Sequence, residues 1–327
     1  MQSRRRACLI ALLAVAAHAE NGWEYSRLGN SQDVAVATSG GILFAGGGTD
    51  VDEAFRWMCD KATGGDFLII RASGTAAYNT YVRGLCPALN SVATLIVTSR
   101  DGAREPFVAD RIRKAEAIFI AGGDQANYIN LYAGTPVAET INERAAHSVP
   151  IGGTSAGNAV LAQFGYSALT GSVTSKQALA DPYSPLVTIS NGFLNLSPLL
   201  RGFFTDDHFA ARDRMGRLVA FLARVIQDRF APSAAAIATD ERTAYLMEPD
   251  GSGRVVGSGA AYFMRTTELP QVCKPGKPLT FKNIYIYRVR AGETFDISKW
   301  TGTPRAAYGI SAVNGVLTPV ESGGSIY

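Results

Sequence analysis

Short apolar runs alternate with longer amphipathic stretches through the first half of the chain. The runs have the length of buried β-strands, and the stretches between them have the length and spacing of helices that cover a sheet. Because consecutive parallel strands need a crossover connection, usually a helix, this order predicts a parallel sheet flanked by helices. The predicted strands are 42–45, 67–71, 93–98, 117–121 and 149–152, and the predicted helices are 50–61, 78–85, 106–114 and 135–147.

Small or polar residues follow four of the predicted strands. They are Gly46-Gly47-Gly48, Ala72-Ser73-Gly74, Gly122-Gly123-Asp124 and Gly153-Thr154-Ser155. Loops at the carboxyl ends of parallel strands carry the site in open sheets of this kind, so we expect all four clusters on one rim. The first cluster lacks the Lys-Ser/Thr of a P-loop and the spacing of a dinucleotide-binding turn, and no nucleotide cofactor is expected there.

Residues 153–157 read Gly-Thr-Ser-Ala-Gly, which places Ser155 at a predicted strand-to-helix turn. Such a turn exposes a nucleophilic hydroxyl above the sheet edge. The helix that we expect to begin at Ala156 presents free N–H groups and its positive dipole end beside that hydroxyl. The alternative is a plain tight turn, which a chain with 34 glycines produces readily.

A serine nucleophile needs a base, and histidine is the commonest. Beyond residue 19 the sequence offers His147, at a predicted helix end that suits the surface, and His208, in a charged segment before a long predicted helix. His208 is either the base or a residue that caps the helix start. The candidate oxyanion donors are the N–H of Ala156 and the loop at Gly123-Asp124, where Asp124 is also a candidate helix cap.

Residues 1–19 have the form of a signal peptide, with three arginines, a short apolar run and small residues at the cleavage positions. A buried N-terminal helix is the alternative. We therefore expect a secreted or periplasmic protein that begins near Glu20. Removing this segment takes away three arginines and no acids, which leaves 28 basic against 28 acidic residues. We expect neither a nucleic-acid partner nor membrane association after cleavage.

Three cysteines remain beyond the predicted signal peptide, namely Cys59, Cys86 and Cys273. In an oxidising compartment Cys59 and Cys86 are able to pair, which would leave one thiol. The sequence has no Cys-x-x-Cys motif and no His/Cys cluster, so no metal site is expected.

The second half of the chain is predicted to contain a helix over 210–229, a strand over 234–239 and then short strands such as 283–289. We expect a division into a signal peptide (1–19), an α/β domain that carries the candidate site (20–265) and a β-rich C-terminal extension (266–327).

Four segments occur in an order shared with a known family. They are Phe-Ile-Ala-Gly-Gly-Asp-Gln at 119–125, Gly-Gly-Thr-Ser-Ala-Gly at 152–157, Asp-His-Phe followed by three arginines and a glycine within 207–217, and Asp-Glu-Arg-Thr-Ala at 240–244. With them the chain resembles the cyanophycinase and aspartyl dipeptidase family of serine peptidases. The resemblance implies a flavodoxin-like sheet related to class I glutamine amidotransferases, and cleavage of bonds beside aspartate.

The resemblance also implies roles for individual residues. Ser155 would be the nucleophile and His208 the general base, with an oxyanion hole formed by N–H groups near Gly123, Asp124 and Ala156. A guanidinium binds a substrate carboxylate bidentately, and an aspartate would bind a substrate arginine. The residues expected to border the substrate are Gln125, Asp206, Arg212, Arg214 and Arg217.

Two departures from the family pattern stand out. The family usually carries a carboxylate some fifteen to twenty-odd residues beyond the serine to orient the histidine, yet residues 156–180 contain no Asp or Glu. Gln177 occupies that place and would orient His208 through its carbonyl oxygen, with Asp181 as the alternative. Asp207 stands where cyanophycinases commonly have glutamine, which weakens the transfer of their particular substrate.

We expect a secreted serine peptidase that hydrolyses peptide or isopeptide bonds beside aspartate, with no cofactor. Its partner would be an aspartyl or β-aspartyl peptide, and the oligomeric state is left open, with a homodimer among the alternatives. Two other interpretations are a degenerate member that binds aspartyl peptides without efficient turnover, and a hydrolase of small amides or esters on the same fold.

Overall fold

The computed structural model describes residues 21–303 and 307–327, so the predicted signal peptide lies outside the described residues. The strands are β1 (Trp23–Gly29), β2 (Ile42–Ala45), β3 (Asp66–Arg71), β4 (Ser91–Val97), β5 (Ala117–Ile120), β6 (Ile151–Thr154), β7 (Phe164–Tyr166), β8 (Ile189–Asn191), β9 (Phe203–Asp206), β10 (Ala234–Thr239), β11 (Thr243–Met247), β12 (Ser252–Gly257), β13 (Ala260–Thr266), β14 (Phe281–Arg290), β15 (Thr294–Asp296), β16 (Thr301–Gly302), β17 (Ala307–Val313) and β18 (Val316–Pro319). The α-helices are α1 (Asp52–Lys61), α2 (Ala77–Leu85), α3 (Pro106–Arg113), α4 (Gln125–Tyr132), α5 (Pro136–Ala146), α6 (Ser175–Ala180) and α7 (Met215–Gln227). Short 3-10 helices lie at Gly102–Arg104, Ser155–Val160 and Pro198–Leu200.

The first sheet has the strand order β1-β4-β3-β5-β6-β2-β11-β12-β15-β16. Its centre, from β4 to β2, is parallel, and both of its flanks are antiparallel. The central strands are buried along almost their whole length, as strands covered by helices on both faces must be. The predicted parallel α/β sheet is thereby confirmed, and the carboxyl ends of β2, β3, β5 and β6 share one rim.

A second sheet has the strand order β18-β17-β14-β13-β10-β9-β7-β8. Strand β9 lies parallel between β7 and β10, while the other pairs are antiparallel. The chain crosses from the first sheet to the second through the 3-10 helix Ser155–Val160, which follows β6 and precedes β7. The expected helix after the elbow is thus a 3-10 helix of 6 residues, because the chain turns at once toward β7.

The strands after residue 266 join both sheets. β14, β17 and β18 extend the second sheet, and β15 and β16 extend the first. The described strands of this region therefore all belong to the two sheets of the α/β body.

Helices α1 and α2 cover one face of the first sheet and are joined by a disulfide between Cys59 and Cys86. Phe55 of α1 stacks between the rings of α2 and the sheet, 4.7 Å from the Phe119 ring centroid. Cys273 is a free, buried cysteine. Within the described ranges, no helix is both long and apolar enough to cross a bilayer.

Candidate active site

Ser155 occupies the tip of a sharp turn at the end of β6. Its φ of 51° is left-handed, which is uncommon for a residue with a side chain and is typical of a strained elbow. The flanking glycines are needed sterically, since a Cβ on Gly153 would lie 2.5 Å from backbone atoms of Gly157, and one on Gly157 would lie 2.0 Å from the Ile120 carbonyl oxygen. The half-buried hydroxyl of Ser155 thus stands at the rim of the sheet, as the sequence motif predicts.

His208 comes from the second sheet, two residues after β9 ends. Its ring is almost fully buried, with 7% of the side chain exposed, and Nε2 lies 2.8 Å from the Ser155 Oγ. The two residues that the sequence predicts as nucleophile and base are therefore in hydrogen-bond contact. His147, by contrast, is exposed at the end of α5, where its Nδ1 contacts the Glu143 carbonyl oxygen.

Glu241 completes a chain of three side chains. Its Oε1 lies 2.6 Å from Nδ1 of His208. The hydrogen bond with His208 lowers the pKa of the Glu241 carboxyl, so the group is ionised near neutral pH and accepts the Nδ1 proton. With the proton on Nδ1, Nε2 is free to accept a hydrogen bond from the Ser155 hydroxyl. This order of donors and acceptors is the one that activates a serine.

The structure corrects the expected orienting group. Gln177 lies in α6, where its Oε1 accepts hydrogen bonds from the N–H and hydroxyl of Thr174 in a capping box. Asp181, the alternative, accepts from the N–H groups of Tyr183 and Gly276 through Oδ1. Both side chains thus accept hydrogen bonds that stabilise a helix start or a loop. The hydrogen-bond partner of Nδ1 of His208 is Glu241 instead.

The loop after β5 borders the nucleophile. A Cβ on Gly122 would lie 3.4 Å from the Ser155 Cβ, and the exposed Gly123 has a φ of 154°. The side chain of Asp124 accepts from the Ala126 N–H and caps α4, so the alternative interpretation of Asp124 as a helix cap is confirmed. In the described part of the chain, no acceptor is bonded to the N–H groups of Gly123 and Asp124.

Ala156 and Gln125 lie on the same rim. Ala156 is the second residue of the 3-10 helix after β6, where the first N–H groups of a helix lack acceptors within the helix. Gln125 is half-buried at the start of α4. Both positions follow the carboxyl ends of neighbouring strands, Gln125 after β5 and Ala156 after β6, which is where donors for an oxyanion at Ser155 are expected.

Asp206 and Arg217 do not border an open site, contrary to the prediction. Both side chains are buried, with 1% and 4% exposed, and the Arg217 guanidinium binds the Asp206 carboxylate through Nε at 2.9 Å and through Nη2. A buried charge requires a partner of opposite sign, and each residue supplies that partner for the other. The pair therefore joins β9 to α7 in the protein interior.

Asp207, Arg214 and Arg212 lie nearer the reacting atoms. Asp207 Oδ1 is 3.7 Å from Nε2 of His208 and accepts from Nη1 of Arg214 at 2.8 Å. Burial raises the pKa of Asp207, and the charge of Arg214 opposes that shift. Arg212 has 53% of its side chain exposed, and its Nε is 3.9 Å from Glu241 Oε1. Of the three predicted arginines, Arg212 therefore projects into solvent, and the other two are engaged by aspartates.

Glu241 is the site residue that the sequence argument did not assign. The signal was present, since Glu241 lies in the Asp-Glu-Arg segment that directly follows the predicted strand 234–239. A turn after that strand meets the turn after β9, because β9 and β10 are parallel neighbours. Among the described residues, no group of three or more His, Cys, Asp or Glu side chains is arranged to hold a metal ion.

A comparison with solved structures identifies the class of fold. The structure of a peptidase from an acI-B1 actinobacterium is similar to this chain with a TM-score of 0.53, covering 80% of this chain and 98% of that chain. At 17% sequence identity the likeness concerns the fold, which is the α/β fold of a peptidase.

Sequence comparisons identify the family. The model of Peptidase family S51 matches residues 36–179, a range that includes Ser155. Cyanophycinases from Trichormus variabilis and from a Nostoc species are each 30% identical over 218 residues, which is 65% of this chain and 67% of theirs. The cyanophycinase of Synechococcus elongatus is 26% identical over 214 residues, 64% of this chain and 61% of its own. The chain belongs to peptidase family S51 and is a serine-type peptidase, which confirms the resemblance found in the sequence.

Proposed function

We propose that the protein hydrolyses peptide or isopeptide bonds beside aspartate, with Ser155 as nucleophile, His208 as general base and Glu241 as the residue that orients His208. The observation that carries this proposal is the continuous hydrogen-bond chain from Glu241 Oε1 through the imidazole to the Ser155 Oγ, with distances of 2.6 and 2.8 Å. A serine, a base and an orienting carboxylate in this order are the parts that acyl transfer requires.

In this mechanism Nε2 of His208 takes the hydroxyl proton while the Ser155 Oγ attacks the carbonyl carbon. The N–H groups of Gly123, Asp124 and Ala156 stabilise the oxyanion. Nε2 then gives its proton to the leaving nitrogen, the C–N bond breaks, and the acyl group remains on Ser155. A water molecule, deprotonated by His208, attacks this ester, and the acid product leaves as the serine recovers its proton.

Ionised Glu241 stabilises the imidazolium that forms in each half of the reaction and holds the Nδ1 tautomer. The observation that favours the degenerate, non-catalytic interpretation is the absence of Asp and Glu from residues 156–180, where the family usually carries its orienting carboxylate. The contact between Glu241 and His208 removes that argument, so turnover is the stronger proposal.

The proposed substrate is a β-aspartyl peptide with an arginine in the leaving part, as in cyanophycin or its fragments. Support comes from the relatives that are named cyanophycinases. Charged groups of both signs beside His208 add to it. The exposed Arg212, whose Nε is 3.9 Å from Glu241 Oε1, is able to contact a substrate carboxylate, and Asp207, which is paired with Arg214, lies 3.7 Å from the nitrogen that serves the leaving group. Arg214 and Gln125 are proposed to border the same space.

We also propose that the protein is exported to a secreted or periplasmic location. The form of residues 1–19 supports this, and so does the disulfide between Cys59 and Cys86, since such bonds persist mainly in oxidising compartments.

The test is hydrolysis of a dipeptide panel by wild type and Ser155→Ala. The panel contains β-aspartyl-arginine, α-aspartyl-arginine, β-aspartyl-alanine and alanyl-arginine, and released amino acid is quantified. We expect β-aspartyl-arginine to exceed alanyl-arginine in kcat/KM by about 100-fold, which corresponds to about 2.7 kcal/mol of transition-state binding. Ser155-dependent cleavage of simple esters without cleavage of any aspartyl dipeptide would instead favour the small amide or ester hydrolase.

A further inference from the structure

We propose that Gly47 is a positioning residue for His208, and that the loop Gly46–Gly48 is the backbone wall against which the imidazole is held. This inference rests on the proposed function, in which His208 is the base. The loop directly follows β2 and precedes α1, and its three glycines have no role in the reaction steps described above.

The fit between Gly47 and the ring is tight. A Cβ built on Gly47 would lie 2.4 Å from both Cε1 and Nε2 of His208 and 3.1 Å from Cδ2. Carbon atoms in contact are ordinarily about 3.5–4.0 Å apart, so a methyl group here would displace the ring by about 1 Å. Cε1 and Nε2 belong to a rigid ring, which cannot yield as the end of a flexible side chain would. Only glycine at position 47, with a hydrogen atom in place of a side chain, leaves Nε2 of His208 where it is.

His208 has little room to move away. Its Nδ1 is bonded to Glu241 at 2.6 Å, and its own N–H donates to the Gly46 carbonyl at 2.7 Å. The residue also has a φ of 44°, so its backbone is held in a conformation that side chains rarely adopt. A shift of the ring would thus lengthen or break its hydrogen bonds to Glu241 and to Ser155.

The same loop fixes the turn that carries Glu241. The Gly46 N–H donates to the Thr243 carbonyl at 2.9 Å, and the Arg242 N–H donates to the Gly47 carbonyl at 2.8 Å. Gly46 itself approaches the turn between β10 and β11 so closely that a Cβ would lie 2.0 Å from the Asp240 carbonyl oxygen. The loop therefore ties the end of β2 to both segments that supply the imidazole and its carboxylate.

The chain offers Gly134 as a matched control for backbone strain and Gly48 as a comparison in the same loop that contacts Glu241 and not primarily the ring. Gly48 has a φ of +76°, close to the +86° of Gly47, but the atoms nearest its Cβ position belong to Glu241 and Arg242, with Glu241 Cβ at 3.3 Å and Oε2 at 3.6 Å. Gly134 has a φ of +66°, and nothing lies within 4 Å of its Cβ position. Alanine at all three sites strains the backbone in the same way, and only at Gly47 among them does it press on His208.

The experiment compares Gly47→Ala, Gly48→Ala and Gly134→Ala with wild type on the best dipeptide of the panel. A misplacement of about 1 Å in a catalytic group costs on the order of 100-fold in rate. We expect Gly47→Ala to lose about 100-fold in kcat with little change in KM, and Gly134→Ala to retain wild-type kcat. Gly48→Ala should lose less than Gly47→Ala, because its contact of 3.3 Å with Glu241 Cβ is relieved by a smaller shift than the 2.4 Å contact with the ring. Thermal unfolding of all four proteins measures how much stability each alanine removes by straining the backbone at a positive φ.

A second readout is independent of activity. The proton on Nδ1 of His208 is observed by NMR of protein labelled at histidine and is assigned by its absence from the spectrum of His208→Gln. We expect this resonance to shift or vanish in Gly47→Ala and to stay unchanged in Gly134→Ala. A Gly47→Ala protein with wild-type kcat and an unchanged resonance would overturn the inference. Wild type without Ser155-dependent hydrolysis would overturn the proposed function instead, so the two failures are distinct.

Discussion

Nδ1 of His208 and the Glu241 carboxylate are joined by a hydrogen bond of 2.6 Å, although 33 positions separate the two residues in the chain. They meet because β9 and β10 are parallel neighbours whose carboxyl ends lie side by side. His208 has 7% of its side chain exposed, whereas Glu241 has 34%. A partly hydrated carboxylate thus holds a buried imidazole, which leaves the carboxylate ionised and able to stabilise positive charge on the ring.

Replacing Glu241 by glutamine should retain the fold and remove the charge that stabilises the imidazolium. In a serine triad the corresponding change costs about 10⁴-fold in kcat, so we expect a loss of about 10³- to 10⁴-fold for Glu241→Gln. Steady-state kinetics on the best dipeptide measure it. The reciprocal change Gln177→Glu is the matched control and should leave kcat unaltered, since Gln177 serves the capping box of α6. A strong effect of Gln177→Glu together with a mild effect of Glu241→Gln would contradict the assignment.

Arg217 and Arg212 should differ in what their replacement changes, with Arg217 affecting stability and Arg212 affecting substrate binding. Arg217→Met leaves the Asp206 carboxylate buried without its main partner and should lower the free energy of unfolding by about 3 kcal/mol. Arg212→Met changes an exposed side chain, so it should alter stability by no more than about 0.5 kcal/mol while raising KM for acidic substrates.

Urea unfolding and steady-state kinetics on both variants measure the difference between the two arginines. The double variant Asp206→Leu/Arg217→Met removes both buried charges and should be more stable than Arg217→Met alone. A stable Arg217→Met protein with a raised KM would show that Arg217 contacts the substrate after all.

The disulfide between Cys59 and Cys86 should stabilise the packing of α1 on α2. The two cysteines are 27 positions apart in the chain, and closing a loop of that size restricts the unfolded state. Loss of the disulfide should therefore lower the free energy of unfolding by about 3 kcal/mol. Denaturant unfolding of Cys59→Ala/Cys86→Ala measures this. Dithiothreitol should bring wild type to the stability of the double variant and leave the variant itself unchanged. An equal effect of the reductant on both proteins would argue against the bond.

Glu116 should make stability depend on pH. Burial raises its pKa from 4.5 to about 7, while its Oε2 accepts the N–H of Asp66 at 2.8 Å. A raised pKa means that the folded state favours the protonated form, so this contribution is present below about pH 4.5 and is lost as the pH rises through 7. Glu116→Gln cannot ionise, so its stability relative to wild type should increase between pH 4.5 and 7 and then level off. Urea unfolding across that range measures the difference, and a constant difference would contradict the expectation.

The parallel sheet could be predicted from the sequence because its strands are continuous apolar runs. The predicted strands 42–45 and 234–239 coincide with β2 and β10. β1 was not predicted, since its alternating residues pair with β4 at an antiparallel edge. β9 was missed because Thr205 and Asp206 interrupt the continuous apolar run by which a strand of the same length, β2, was found. The second sheet is assembled from such short strands, whose pairing depends on contacts distant in sequence.

The nucleophile and the base followed from local motifs, whereas the third member did not. Glu241 is defined by the meeting of two strand ends, which no spacing along the chain reveals. The orientations of the Arg212 and Arg214 side chains could not be predicted from the sequence either, because α7 begins at Met215 and not at residue 210. The preceding residues form a turn, so helical periodicity does not apply to Arg212 and Arg214.

The central claim is that Ser155 is a nucleophile activated by His208 and Glu241. A fluorophosphonate probe, followed by peptide mass spectrometry, tests it most directly. The account predicts a single adduct on Ser155 in wild type, none in Ser155→Ala and labelling slowed by about 10³-fold or more in Glu241→Gln. An unlabelled but folded wild type, or an adduct that persists in Ser155→Ala, would contradict it.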